Sequence, residues 1–304
     1  MVLVLVLLLP CRAGAAWSWG RLLRLKPKEA TLYVADPVRG SKKTLAGRSQ
    51  EVKRLVERIT ADANGPGEGP CLVVVAPGWK EKTTWHKGMA LAIRDQLGPG
   101  PWVCAWYDWR AQANRLSVRD AALAARANFG PDLGSKIVAL SRQWRQVHLI
   151  GHAAGCWLVS EAARVIAQQT QASIHLTLLD SYTPEYWGKD ELGCVACQPT
   201  ATCWADHYMT RDPGLVTQRV LAGAHNVDLS AVDPGPKGRR FPIFWYQATI
   251  TGRFADSRYV GQPLFHRVGE IEYGFARSLE AGPANWEYSR KLRGGNDPVL
   301  VIAK

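Results

Sequence analysis

Ten residues, Val147–Cys156, constrain this chain more than any others. They read V-H-L-I-G-H-A-A-G-C and are followed by the helical run W-L-V-S-E-A-A-R-V-I. The pattern is a buried strand, then the turn Gly151-His152-Ala153-Ala154-Gly155, then a helix. Glycines two before and two after an apex are needed where the apex backbone is strained and its neighbours pack closely. The side chain at such an apex stands clear of both flanking elements. Here it belongs to Ala153, and a methyl group cannot attack a carbonyl.

The rest of the chain alternates strands and helices around this turn. Residues 31–34 read as an early strand, and residues 50–63 as an amphipathic helix with Val52, Leu55, Val56 and Ile59 on one side. Residues 71–76 form a continuous apolar run suited to a strand buried on both faces. A helix over 85–97, a Gly-Pro break at 98–101 and a strand over 102–107 follow. A long helical region from Ser117 to about Trp144 is interrupted by Gly130-Pro131. After the turn, the helix runs to about Gln168 and a strand over 174–179 ends at Asp180. From there to about Leu215 the pattern loosens into a Pro-, Gly- and Cys-rich stretch. Residues 224–229 suit a strand, and 241–250 a strand or a short helix. This order predicts an α/β fold with a mostly parallel central sheet and helices on both faces.

The 304 residues, 47% of them hydrophobic, suffice for one sizeable core, and no clean linker divides them. Residues 1–16 are expected to be a secretory signal, because Val2–Leu9 is uninterruptedly apolar and Ala13-Gly14-Ala15 supplies small residues for cleavage. The run is too short to span a membrane. Residues 17–304 are then a single domain, secreted or periplasmic. Most of the 13 tryptophans are expected to pack the core and its rim.

The net charge of +12 lies entirely in the first half: residues 1–150 hold 23 Lys and Arg against 11 Asp and Glu, and residues 151–304 hold 15 of each. Such a half suits an anionic surface as partner. No basic–aromatic module points to nucleic acid. Without Cys11, six cysteines remain, and an exported chain permits disulfides among them, a local bridge to Cys203 from Cys194 or Cys197 being the most natural. Cys194-x-x-Cys197 has no second ligand pair, so no metal is expected, nor any other cofactor.

Several of these motifs, in this order, resemble the α/β-hydrolases, and the pancreatic-type lipases most. The likeness covers roughly residues 71–275. The strand at 71–76 with Pro77-Gly78-Trp79 is similar to the family's strand and H-G-aromatic oxyanion loop, with Pro77 in place of histidine. Val103–Arg110 resembles the strand that ends in D-W-[KR]. His148–Gly155 resembles H-L-I-G-H-S-L-G with Ala153 in place of serine, and Leu178-Leu179-Asp180 resembles the strand end carrying the catalytic aspartate. Arg239–Ile250 is similar to the segment opening on the catalytic histidine, which puts Arg239 or Arg240 at that position.

The resemblance implies an α/β-hydrolase fold and oxyanion-stabilising backbone N–H groups at Trp79 and Ala154. Backbone donors survive the loss of a serine, so an acyl, ester or carboxylate ligand can still be bound without being cleaved. Acyl transfer additionally needs an activated hydroxyl, a base and an orienting acid. Cys156 lies three residues past the apex, about 300° around the helix, and does not substitute for it. Ser181 adjoins a different strand end. His225, in A-H-N-V-D-L-S, is the first candidate for a substitute base, with His207 and His266 behind it; His152 reads as a packing residue. Asp180 without a histidine is expected to pair with Arg239, Arg240 or backbone N–H groups, and Asp108 to tie a strand end to its loop. Two functions remain open. One is an exported, non-catalytic lipase-like binding protein for lipid or ester-like small molecules. The other is a carboxylic-ester hydrolase whose active form carries serine at 153 with Asp180 as its acid.

Overall fold

A computed structural model describes residues 29–35, 44–46, 50–62, 69–184, 192–193, 203–211, 216–217, 219–233, 240–254, 267–268, 271–275 and 299–301. The expected signal segment, Cys194, Cys197, Arg239 and His266 lie outside them.

The central strands follow the apolar runs closely. β1 spans Thr31–Ala35, β2 Thr44–Ala46, β3 Cys71–Ala76, β4 Trp102–Asp108, β5 Gln146–His152 and β6 Ser173–Leu179. β7 is Cys203–Met209, β8 His225–Asp228 and β11 Val299–Val301, with a separate ribbon of β9 (Arg267–Val268) and β10 (Ile271–Glu272). The described residues build one sheet in the order β11-β8-β7-β6-β5-β3-β4-β1-β2. Every neighbouring pair from β4 through β3, β5, β6, β7 and β8 to β11 is parallel, and β1 is antiparallel to both β4 and β2.

Side chains alternate across the sheet and meet helices on both faces. Leu72, Val74, Val103, Ala105, Leu149 and Leu176 face α1 (Gln50–Asp62), α3 (Arg110–Ala113), α4 (Val118–Ala124), α5 (Gly130–Leu140) and α6 (Ala154–Gln169) in one core. Val73, Val75, Trp106 and Ile150 face α2 (Trp85–Leu97) and α7 (Phe241–Thr251) in the other. Each fully buried Val or Leu contributes about 1.5–3 kcal/mol relative to leaving it in water. Trp109, Trp157, Trp204 and Trp245 are among the largest wholly buried side chains. Trp109, Trp144 and Trp157 each give their indole N–H to a backbone carbonyl, those of Pro77, Ile137 and Tyr182.

Two expectations need correction. The stretch after Asp180 contains β7, one of the buried parallel strands; its sequence C-W-A-D-H-Y-M interleaves polar residues that pair inside the protein, so it lacks the apolar run that marks β3. Gly130-Pro131 does not break the helix. A π-helical turn at Ala125–Phe129 precedes α5, and Pro131 sits in its first turn, where a missing N–H is tolerated. Residues 241–250, left open above, are helical. Among the described residues, no helix is long and apolar enough to cross a membrane. Cys71, Cys104 and Cys156 are buried free thiols, so of the six cysteines only Cys194, Cys197 and Cys203 are left for the expected bridge.

Candidate functional site

The chain runs from β3 outward to β4 and then returns to β5 on the other side of β3. Ligands of open α/β sheets gather outside the carboxyl ends of the strands at such a reversal. Two segments stand there: the residues from Pro77 to Thr84 after β3, and Ala153 after β5. Three of the positive-φ non-glycine residues lie after these strands and β6, namely Lys80 at φ 49°, Ala153 at φ 49° and Asp180 at φ 44°. Side-chain-bearing residues adopt this region only where their surroundings over-determine it, and such residues cluster at functional sites.

Ala153 has ψ −115° and joins β5 directly to α6. Its surroundings explain how the strain is held. A Cβ at position 151 would lie 2.6 Å from the Gly155 carbonyl oxygen, and one at 155 would lie 2.6 Å from that of Pro77. Both glycines are therefore demanded by close backbone approach. The Ala153 N–H donates to Leu179 O at 3.0 Å, linking the apex to the end of β6. Ala154 opens α6, so its N–H is one of those without an intrahelical acceptor.

The Pro77–Trp79 loop is pinned against the apex. The Pro77 carbonyl accepts from Trp109 Nε1 at 2.7 Å. A Cβ on Gly78 would meet His152 O at 2.7 Å, His152 Nδ1 at 2.8 Å and Ala153 Cβ at 3.2 Å, so the loop and the turn are in direct contact. Trp79 gives its indole N–H to Arg115 O at 3.0 Å, and Lys80 Nζ lies 4.6 Å from its ring centroid. Gly78, the neighbour of Trp79, thus touches the turn whose apex is Ala153 and whose next residue, Ala154, opens α6.

A polar cluster that sequence reasoning missed lies beneath this loop. Glu81, its side chain 2% exposed, is 3.1 Å from Arg240 through Oε1. The same oxygen accepts from Thr83 N at 3.0 Å and Thr83 Oγ1 at 2.9 Å, and Oε2 accepts from Trp85 Nε1 at 2.9 Å. Burial alone would raise the Glu81 pKa, but the two Thr83 donors and the Arg240 charge together hold it below the usual value. Trp85 meets His152 edge-on at 6.0 Å. Burial brings His152 down to about 4, with Glu81 opposing and Arg240 reinforcing. His86 is likewise brought to about 4 by burial. Both imidazoles are therefore neutral at pH 7. Asp108 binds Arg110 through both oxygens, at 3.0 and 2.9 Å, tying the end of β4 to its loop.

The remaining candidates stand apart. Asp180 is 1% exposed, and its Oδ1 accepts from Thr210 N at 2.7 Å and Thr210 Oγ1 at 3.1 Å. Arg240 meets Glu81, and the Asp180 carboxylate takes a backbone N–H, the last of its expected partners. His225 shares a row with Ile150, Thr177 and Asp206 across the sheet. Three strand spacings, about 14 Å, therefore separate it from β5. It stacks on Tyr273 at 5.2 Å, 3% exposed, and does not reach the apex. His207 lies beside the Asp180 turn but is engaged at both nitrogens: Nε2 accepts from Ser181 N at 3.3 Å, and Nδ1 faces Asn226 Oδ1 at 3.0 Å. Cys156 is fully buried, donates to Gly151 O at 3.3 Å and is pushed up to about 12 by burial. Ser181 is buried as well.

Two findings bear on ligands. Ala153 is only half-buried, whereas its neighbours His152 and Ala154 are buried. A cleft of about 110 Å³ at the ends of β1 and β4 is lined by Glu29, Thr31, Tyr33, Asp108, Arg110, Ala111 and Gln112, and by no residue of the apex turn. Among the described residues, no group of three or more His, Cys, Asp or Glu side chains is arranged to hold a metal ion. No protein-family model matches this chain, and no curated protein matches it.

Proposed function

We propose that this chain is an exported, lipase-like protein of the α/β-hydrolase fold that binds acyl, ester or carboxylate-bearing small molecules at the Ala153 apex and does not cleave them. The observation that carries the reading is the apex itself. Ala153 keeps φ 49° and ψ −115° between two glycines at which a Cβ would collide with backbone oxygens. Alanine gains nothing from that strain, whereas a turn built to present a group to a ligand requires it. The mostly parallel sheet, the loop pressed on the apex and an aspartate directly after β6 all fit the same family. The Ala154 N–H and the Trp79 N–H are the proposed oxyanion donors, and the basic first half is the proposed contact for an anionic surface.

A second reading, an ester hydrolase whose active form has serine at 153, is favoured by the same retained strain. Against it stands the placement of two candidate bases, since His225 is three strands away and both His207 nitrogens are engaged. Hydrolysis of p-nitrophenyl butyrate separates the two. The proposal expects a rate no faster than the buffer blank; turnover abolished by a serine-reactive phosphonate contradicts it.

A further inference from the structure

We infer that Arg240, one of the two positions where the resemblance puts a catalytic histidine, is a positioning residue that holds the β3–α2 loop against the Ala153 apex through Glu81. Arg240 is the N-cap residue of α7, far from the loop in sequence. Its two terminal nitrogens divide between two loop residues, NH2 to Glu81 Oε1 at 3.1 Å and NH1 to Thr83 Oγ1 at 3.5 Å. The planar fork of a guanidinium suits such a shared contact, which an ammonium cannot reproduce.

Glu81 passes the constraint on. One of its oxygens fixes Thr83 and the other fixes Trp85, whose ring packs edge-on to His152, the residue before the apex. Arg110 holds the same loop from the other side, donating to Thr83 O at 3.2 Å. The loop between the β3 end and α2 is therefore clamped by two arginines from different elements, and Gly78 in it touches the apex. A nearly buried carboxylate with three donors and a guanidinium partner is fully satisfied. Its arrangement leaves no free acid to orient a base.

This inference rests on the proposed ligand site for its binding readout alone; loop placement is measured separately. The test uses the full chain, the isosteric Glu81→Gln, and Arg240→Gln and Arg240→Lys. The first readout is the imidazole titration of His152 by NMR, together with the Trp79 and Ala154 amide signals. Removing the Arg240 charge should raise the His152 pKa, and removing the Glu81 charge should not. A loop that had merely collapsed and admitted water would raise both toward the ordinary value. The Trp79 and Ala154 amides should shift in all three variants, least in Arg240→Lys. The second readout is titration with ethyl butyrate, expected to bind about tenfold more weakly to Arg240→Gln if a well-held site is lost. Unchanged amides and an unchanged His152 titration in Arg240→Gln overturn the inference. Shifts as expected in the variants, with no ethyl butyrate response in the parent chain, leave the positioning role standing and sink the ligand reading instead.

Discussion

The backbone N–H of Ala153 donates to the carbonyl of Leu179 at 3.0 Å, so the turn after β5 and the turn after β6 are joined in one unit. The residue after Leu179 is Asp180, itself at φ 44° and bound to Thr210. Two strained turns and a buried carboxylate thus support each other at neighbouring strand ends.

Because that unit already carries the strain, Ala153→Ser is expected to fold normally, with a melting temperature within about 2 °C of the parent. It is not expected to hydrolyse p-nitrophenyl butyrate measurably. Members of a catalytic triad act together, and a missing one costs on the order of 10⁴-fold or more. Robust turnover by the single variant would show that a base has been overlooked; His266, outside the described residues, would be replaced first.

Gly155→Ala should destabilise the fold by about 1–3 kcal/mol, because the new methyl group meets backbone that cannot rotate away. Its nearest neighbour would be the Pro77 carbonyl oxygen at 2.6 Å. Gly100→Ala is the control, since nothing lies within 4 Å of its added Cβ. Urea unfolding of the two variants checks this, and equal midpoints would refute the close approach at the turn.

Much of this site was legible from residues alone. The Gly151–Gly155 turn was visible because only glycine tolerates such contacts, and β3 and α2 because their apolar patterns are unbroken. β7 was hidden: Asp206 accepts from Thr177 Oγ1 at 2.8 Å and from Tyr208 OH at 2.9 Å, and such cross-strand polar pairs look like loop chemistry in one dimension. Glu81 was hidden for a similar reason. Its partners, Arg240 above all, are remote in sequence, and a single Glu near a strand end reads as a solvated surface residue. The distance of His225 from the apex was not legible, because a strand's place among its neighbours is not written in its own residues.

Stability should fall as pH drops from about 6.5 toward 4. His86, His152 and His207 are each brought from 6.5 to about 4 by burial, before any other cause. Across that window the unfolded chain takes up protons at these positions and the folded chain does not, so unfolding gains. Above pH 6.5 all three are neutral in both states and the contribution is constant. Glu81 and Asp108, held low in the folded protein, add a further loss only below their ordinary range. Melting temperatures at pH 7, 6, 5 and 4.5 should decline steadily, and His86→Leu should flatten the decline. A flat profile in the parent contradicts the buried neutral histidines.

Cys104 and Cys156, each pushed up to about 12 by burial, should resist iodoacetamide in the native protein at pH 8 and react once it is unfolded in urea. Peptide mapping by mass spectrometry reads this directly. Rapid native labelling of Cys156 would reopen it as a nucleophile.

The central claim is that the Ala153 apex binds an ester and leaves it intact. Titration of ¹⁵N-labelled protein with ethyl butyrate, followed by NMR, reads binding and cleavage in one tube. The account predicts saturable shifts of the Ala154 and Trp79 amides, with no ethanol or butyrate accumulating beyond a protein-free sample. Unmoved amides at saturating ester, or released ethanol in proportion to protein concentration, would contradict it.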